Sequence, residues 1–106
     1  MNIRLKLETL GMNISPLELA RGMDLKITED YLTVSLKDGR VISTPLIWYP
    51  RLSKAPPADL TVWEWHGDGD GICWPLLDED LSIKGMLEGN PSIEYEREAQ
   101  RAATAA

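Results

Sequence analysis

The sequence predicts a small α+β domain, in which short helices pack on one face of a mixed or antiparallel sheet built on a β-hairpin. Residues 31–36 alternate apolar and polar side chains, and Asp38-Gly39 follows them as a tight-turn pair, which is the pattern of a hairpin. Ser82 and Gly89 bracket a run with apolar residues at helical spacing, so a short helix is expected there. A chain of 106 residues is long enough for one hydrophobic core but not for two.

The first part of the chain predicts a strand and a short helix. Apolar residues alternate with charged ones over 3–8, the period of a half-buried strand. Ser15-Pro16-Leu17-Glu18 is a capping box with proline at the first helical position, and Gly22 is expected to close that helix. We therefore treat residues 1–22 as an extension that precedes the main domain, residues 23–90.

The hairpin between Leu25 and Ile47 is expected to organise the main domain. Pro45 has no amide hydrogen to donate, so the returning strand is predicted to lie at the edge of the sheet. A two-residue turn at Asp38-Gly39 predicts three cross-strand pairs, which are Leu36 with Val41, Val34 with Ser43, and Leu32 with Pro45.

Tryptophan-rich strands are expected to extend this same sheet. Residues 61–66 have the composition of a strand with its two tryptophans on one face, and residues 72–75 are expected to return as its partner. The glycine-rich segment 67–71 joins them as a tight reversal. A single helical turn is expected earlier, after Pro56-Pro57.

The last part of the chain contains a capped helix and a tail. Ser82 is the predicted N-cap of a helix of about two turns, and Gly89 is expected to end it in the left-handed conformation. Residues 91–106 favour a helix by composition but carry no apolar stripe, so we expect this tail to fray and to be partly disordered.

Charge is distributed unevenly along the chain. Eleven lysines and arginines face seventeen acidic residues, which gives a net charge of −6. Between Ala55 and Ile83 there is no lysine or arginine, and seven carboxylates stand in that stretch. Such a region repels phosphate, so direct binding to nucleic acid is disfavoured, whereas a basic protein partner fits it. The competing interpretation is a solvated acidic surface that keeps the protein soluble.

Other parts of the composition exclude several classes of protein. No apolar run is long enough to span a membrane, and the sequence begins without the apolar core of a signal peptide, so a cytoplasmic location is expected. Cys73 is the only cysteine, which excludes an internal disulfide and a zinc site of several cysteines. No cofactor is expected.

Two groups could carry chemistry, and neither fits a known catalytic pattern well. Cys73 and His66 are close in sequence, but a five-residue loop would pair His66 with Ile72 and place Cys73 on the opposite face, beside Trp65. Asp78-Glu79-Asp80 could hold a divalent metal or supply a general acid and base, although no second cluster supports it. We therefore expect that the protein is not an enzyme.

Aromatic residues and arginine are the side chains that most often anchor protein interfaces, and here they accompany the acidic stretch. In a chain without phenylalanine, some of the tryptophans must also fill the core. The candidate binding face consists of Trp48, Tyr49, Arg51, Trp63, Trp65, His66, Trp74, Asp78, Glu79 and Asp80.

Several ordered blocks between residues 23 and 90 resemble the bacterial domain-of-unknown-function family 2442. The sequence departs from the family pattern at Cys73, where histidine is usual, and at Pro56-Pro57-Ala58-Asp59, where a polar helical turn is usual. The matching blocks are Pro45-Leu46-Ile47-Trp48-Tyr49-Pro50-Arg51-Leu52, Gly71-Ile72-Cys73-Trp74-Pro75, Leu77-Asp78-Glu79-Asp80-Leu81-Ser82, Asp38-Gly39-Arg40 and Met86-Leu87-Glu88-Gly89.

This resemblance implies a small α+β domain with no established activity. It also implies a second small protein encoded nearby, in an arrangement like that of a toxin and its antitoxin. Together with the acidic stretch, it leads us to expect a non-catalytic protein-recognition module, antitoxin-like or regulatory, with a basic, toxin-like partner. Two alternatives stay open: a metal-dependent enzyme that uses Asp78, Glu79, Asp80 and His66, and a structural homodimer.

Overall fold

Two three-stranded antiparallel sheets and four short helices make up the fold in the computed structural model, which describes residues 20–105. The first sheet has the order β1-β2-β3 and the second β4-β5-β6, so the α+β class is confirmed, but the single extended sheet is wrong. The elements are β1 (Gly22–Ile27), β2 (Tyr31–Leu36), β3 (Val41–Pro45), α1 (Pro50–Ser53), α2 (Pro57–Leu60), β4 (Glu64–His66), β5 (Gly71–Trp74), β6 (Glu79–Ser82), α3 (Ile83–Leu87) and α4 (Ile93–Ala105), with 3₁₀ turns at Leu46–Trp48 and Pro75–Leu77.

The strand predicted over residues 3–8 and the capping box at Ser15-Pro16-Leu17-Glu18 lie outside the described residues. Gly22, which was expected to close a helix, is the first residue of β1 and is buried.

The first hairpin forms where it was predicted, but its register is shifted by one residue. Ser35 lies opposite Val41 and Leu32 opposite Thr44, so the loop has three residues, 37–39, and not two. Gly39 takes a φ of 93°, as the last position of such a loop requires. An Asp-Gly pair suits both loop lengths, which is why the sequence could not decide between them. The prediction that the returning strand is an edge is confirmed.

The second hairpin is also shifted by one residue. His66 pairs with Gly71 and Trp65 with Ile72, because the loop has four residues, 67–70. The amide of Asp70 donates to the carbonyl of His66 at 3.2 Å and closes that loop. This register decides which side chains share a face of the second sheet.

The hydrophobic core lies between the two sheets and the short helices. From β2 it takes Leu32, Val34 and Leu36, none of which is exposed. Trp74 of β5 is also fully buried, and its indole nitrogen donates to the Leu60 carbonyl at 3.3 Å. Burying this ring therefore leaves no polar atom without a partner. Further core residues are Leu46, Tyr49, Leu52, Ile72, Ile83 and Met86.

The loop of the second hairpin is fixed against the start of β1. The amide of Gly22 donates to the carbonyl of Gly69 at 2.7 Å. Arg21 and Lys37 lie 2.6 Å and 3.2 Å from the carboxylate oxygens of Asp68. This contact sets the position of the second sheet relative to the first.

The helix predicted between Ser82 and Gly89 is confirmed at both ends. Ser82 caps α3, because its hydroxyl accepts from the amide of Gly85 at 2.9 Å. Gly89 has a φ of 76°, the left-handed conformation expected after a helix. The turn expected after Pro56-Pro57 is α2.

Residues 93–105, which we expected to fray, form helix α4. The hydroxyl of Ser92 accepts from the amide of Tyr95 and donates to the Trp48 carbonyl at 2.8 Å, so the start of the helix is both capped and attached. Among the described residues, no helix is both long and apolar enough to cross a membrane.

We predict that Gly69→Ala destabilises the protein more than Gly39→Ala does. Both glycines have a positive φ, so either substitution costs about 1–2 kcal/mol in backbone strain. Only at position 69 would the new Cβ also lie 2.6 Å from the Gly22 carbonyl oxygen, whereas position 39 has open space. We expect this overlap to cost about 1–3 kcal/mol more in a urea titration. Equal losses would show that the contact between loop and β1 is not tight.

Candidate functional site

One face of the second sheet carries acidic side chains at adjacent positions. Glu64 of β4 lies opposite Cys73 of β5, and Cys73 lies opposite Asp80 of β6. Directly opposed residues of antiparallel strands project to the same side, so these three form one row. His66 and Ser82 flank Gly71 in the next row. We call the surface formed by Glu64, His66, Cys73, Asp80 and Ser82 the acidic face.

The predicted separation of Cys73 from His66 is wrong, because the shorter loop puts both on the acidic face, in neighbouring rows. The partner that the thiol contacts is a carboxylate: the hydrogen bond to Asp80 raises the pKa of Cys73, with burial and the charge of Glu64 acting in the same direction. A thiol with a raised pKa is a weak nucleophile at neutral pH. The arrangement therefore gives no activated cysteine.

The carboxylates of the glycine-rich loop are engaged within the protein. Asp68 binds Arg21 and Lys37, and the hydrogen bond from Lys37 is the main reason why its pKa is lowered. Asp70 lies 3.4 Å from the Nε of Arg21. Glu64 and Asp80, by contrast, form no ion pair with residues 20–105, so the acidic face keeps its charge.

The aromatic candidates divide into buried and half-buried side chains. Trp74 is 0% and Tyr49 1% exposed, so neither ring lies on the exposed binding face to which it was assigned, although Tyr49 lines the inner wall of the groove described below. Trp63 and Trp65 share one face as predicted, with ring centroids 5.1 Å apart in an edge-to-face arrangement. These two rings and Trp48 are partly buried against the core.

The three consecutive carboxylates predicted as a cluster do not converge. Glu79 points inward and is 7% exposed. Its two sequence neighbours, Asp78 and Asp80, are exposed to solvent. Asp78 has a φ of 50°, and its side chain lies 3.6 Å from Arg51. Within residues 20–105, no three His, Cys, Asp or Glu side chains are grouped so that they could hold a metal ion.

A groove of about 490 Å³ lies between β6 and the start of α4. β6 and α3 form one wall, and the segment that leads into α4 forms the other. The groove is lined by Tyr49, Glu79, Asp80, Leu81, Ser82, Gly85, Met86, Asn90, Pro91, Ser92, Ile93, Glu94 and Arg97.

Glu79 is the most deeply buried charged residue of the groove. Burial raises the pKa of its carboxyl, and the nearby charge of Glu94 adds to this, while Arg51 acts in the opposite direction. The hydroxyl of Tyr49, beside it in the groove, donates to the Thr44 hydroxyl at 3.2 Å and not to Glu79. No hydrogen bond from residues 20–105 reaches the carboxylate of Glu79.

Ion pairs hold α4 against α1 beside the groove. Arg51 lies 2.8 Å from Glu94, and Lys54 lies 2.8 Å from Glu98, one helical turn further on. Arg51 also donates to the backbone carbonyl of Asp78. Glu94 and Ser92 are not among the site residues expected from the sequence, although a serine before Ile93 is a usable sign of a helix start.

Comparison with known proteins places the chain among proteins without a described function. The sequence profile of a family described as "Protein of unknown function (DUF2442)" matches residues 22–92. No curated protein matches the sequence.

Two solved structures resemble the fold. A protein of unknown function from Rhodospirillum rubrum ATCC 11170 is 27% identical with a TM-score of 0.60, over 68% of this chain and 89% of that one. The uncharacterized protein CV0863 from Chromobacterium violaceum, solved by solution NMR, is 22% identical with a TM-score of 0.63, over 92% of this chain and 87% of that one.

We predict that Glu79→Gln stabilises the protein at pH 7 but not at pH 4. The pKa of Glu79 is raised above its ordinary value of 4.5 in the folded protein. Its favourable contribution to the free energy of unfolding is therefore present below pH 4.5 and is lost as the pH rises through the folded-state pKa. The neutral amide avoids this loss. Thermal unfolding at both pH values measures the difference.

Glu94→Gln is the matched control, with the opposite expected sign. A hydrogen bond from its own backbone amide, together with the charge of Arg51, lowers the pKa of Glu94. Its favourable contribution to the free energy of unfolding is therefore present above pH 4.5 and is lost as the pH falls. This variant should be less stable than the wild type at pH 7. A Glu79→Gln variant that is also destabilised at pH 7 would contradict the account of Glu79 as a charge buried without a partner.

Proposed function

Because the chain belongs to the DUF2442 family, whose description assigns no function, we propose its function from the geometry: a non-catalytic module that recognises a basic protein partner through the acidic face. The observation that carries this proposal is the placement of Glu64 and Asp80 on one exposed sheet face. Within residues 20–105, neither carboxylate has an ion-pair partner.

The electrostatics of this face favour a cationic protein. No lysine or arginine occurs in β4, β5 or β6, so positive charge does not interrupt the face. Complementary charge raises association rates and suppresses wrong partners, and an arrangement of this kind needs no bond-making step. The same negative potential opposes the phosphate backbone of nucleic acids.

We infer that this basic partner is toxin-like and that the protein acts on it as an antitoxin or regulator. The sequence blocks that resemble the family support this, since they imply a small neighbouring gene product. The weakly nucleophilic thiol of Cys73 and the divergent side chains of Asp78, Glu79 and Asp80 favour recognition over catalysis.

We predict that the double variant Glu64→Lys/Asp80→Lys binds the product of the neighbouring gene at least about tenfold more weakly than the wild type, as measured by isothermal titration calorimetry. Reversing both charges replaces attraction by repulsion at the centre of the proposed contact.

The variant Asp24→Lys/Glu29→Lys is the matched control, because it changes the net charge equally. Both residues are exposed at the first sheet, and neither forms an ion pair with residues 20–105. This control should bind within about twofold of the wild type. If both variants bind equally weakly, the loss of affinity reflects net charge and not the acidic face. If the wild type does not bind the neighbouring gene product, the proposed partner is wrong.

A further inference from the structure

We propose that an extended segment of the basic partner occupies the groove beside β6, pairs with the free edge of that strand, and directs a lysine or arginine side chain to Glu79. This inference rests on the proposed function and adds to it a second contact, with defined chemistry.

The carboxylate of Glu79 indicates the chemistry of the occupant. Glu79 is more than nine-tenths buried and lines the groove. Residues 20–105 provide its carboxylate with no hydrogen-bond donor. Its oxygens still reach the solvent of the groove, but a carboxylate that is mostly buried and has no donor from the described residues is less well solvated than an exposed one. The ammonium of lysine or the guanidinium of arginine would supply both the missing charge and the missing donors.

The charges around the groove also favour a cation. Glu79, Asp80 and Glu94 line it, and Arg97 is the single basic side chain among its lining residues. Arg51 lies near by, but its guanidinium is already bound to Glu94 at 2.8 Å and to the carbonyl of Asp78. With the ion pair of Arg51 and Glu94 set aside, Glu79 and Asp80 face the single cation of Arg97, so the described part of the groove holds one more negative side chain than positive ones.

The edge of β6, which no other strand of residues 20–105 pairs with, indicates the conformation of the occupant. The amide of Ile83 donates to the carbonyl of Asp70 at 2.9 Å, which fixes the alternation of the ladder between β5 and β6. In that alternation, the backbone groups of Glu79 and Leu81 point toward β5 and those of Asp80 and Ser82 point away from it. β6 is the last strand of its sheet among the described residues, so these outward amides have no partner strand there, and both residues line the groove.

An unpaired strand edge beside a groove is the arrangement in which a peptide adds a strand to a sheet. Main-chain hydrogen bonds then provide affinity, and alternate side chains enter pockets that provide specificity. The volume of about 490 Å³ is within the range of about 300–1,000 Å³ usual for ligand sites, which is enough for one strand segment and its inward side chain.

The first test uses two peptides and the full-length ¹⁵N-labelled protein. One peptide is an acetylated, amidated heptamer of alternating threonine and valine with a central lysine, and the other has norleucine in place of that lysine. We expect the lysine peptide to slow hydrogen exchange at the amides of Asp80 and Ser82. The norleucine peptide should bind about tenfold more weakly.

Glu79→Gln should bind the lysine peptide about tenfold more weakly than the wild type. Because this variant is expected to be more stable at pH 7, its weaker binding would not reflect unfolding. Glu96→Gln is the matched control, since it makes the same substitution on an exposed part of α4 that does not line the groove. Unchanged exchange at Asp80 and Ser82, or equal affinity of Glu79→Gln and wild type, would overturn the inference.

Titration of the neighbouring gene product separates this inference from the proposed function. If Glu79→Gln weakens its binding as it weakens the peptide, both contacts are supported. If Glu64→Lys/Asp80→Lys weakens binding while Glu79→Gln does not, the groove inference is wrong and the acidic face remains the contact. If the lysine peptide binds in the groove but the neighbouring protein does not bind at all, the proposed partner is wrong and the groove inference holds for another basic segment.

Discussion

Gly22 and Gly69 let the backbones of the two sheets approach more closely than any larger residue would allow. A Cβ on Gly22 would lie 2.3 Å from the indole ring of Trp65, and a Cβ on Gly69 would meet the Gly22 carbonyl oxygen. The tight packing of Trp65 on Gly22 presses β4 against β1, and the hydrogen bond between the two glycines holds the loop there. The second sheet depends on this contact, because the contact determines which face of that sheet packs on the core and which face is exposed to solvent.

Features that depend on neighbouring residues could be predicted from the sequence, and features that depend on spatial register could not. Ser82 and Gly89 bounded a helix correctly because capping acts within one turn. The hairpin loops were each misjudged by one residue, since glycine and aspartate are compatible with several loop lengths. A shift of one residue exchanges the two faces of a strand, so His66 and Cys73 came out on the wrong sides.

The candidate site was predicted in part for the same reason. Glu64 was not among the residues singled out, because only the cross-strand pairing with Cys73 brings it near Asp80. Glu79 was grouped with its neighbours, but alternation along β6 separates it from them. Residues 91–106 favoured a helix by composition, but their attachment could not be predicted without an apolar stripe, because ion pairs and Ser92 provide it.

The attachment of α4 has a consequence for the groove that it encloses. Two of its links to α1, from Arg51 to Glu94 and from Lys54 to Glu98, are ion pairs between partly exposed side chains, which mobile counterions screen over about 10 Å at 0.1 M ionic strength. Raising the ionic strength weakens the two ion pairs between α4 and α1. It also weakens the attraction between the carboxylates of the groove and a bound cation. The attachment of α4 and the electrostatic potential of the groove therefore depend on the same variable, the ionic strength of the solution.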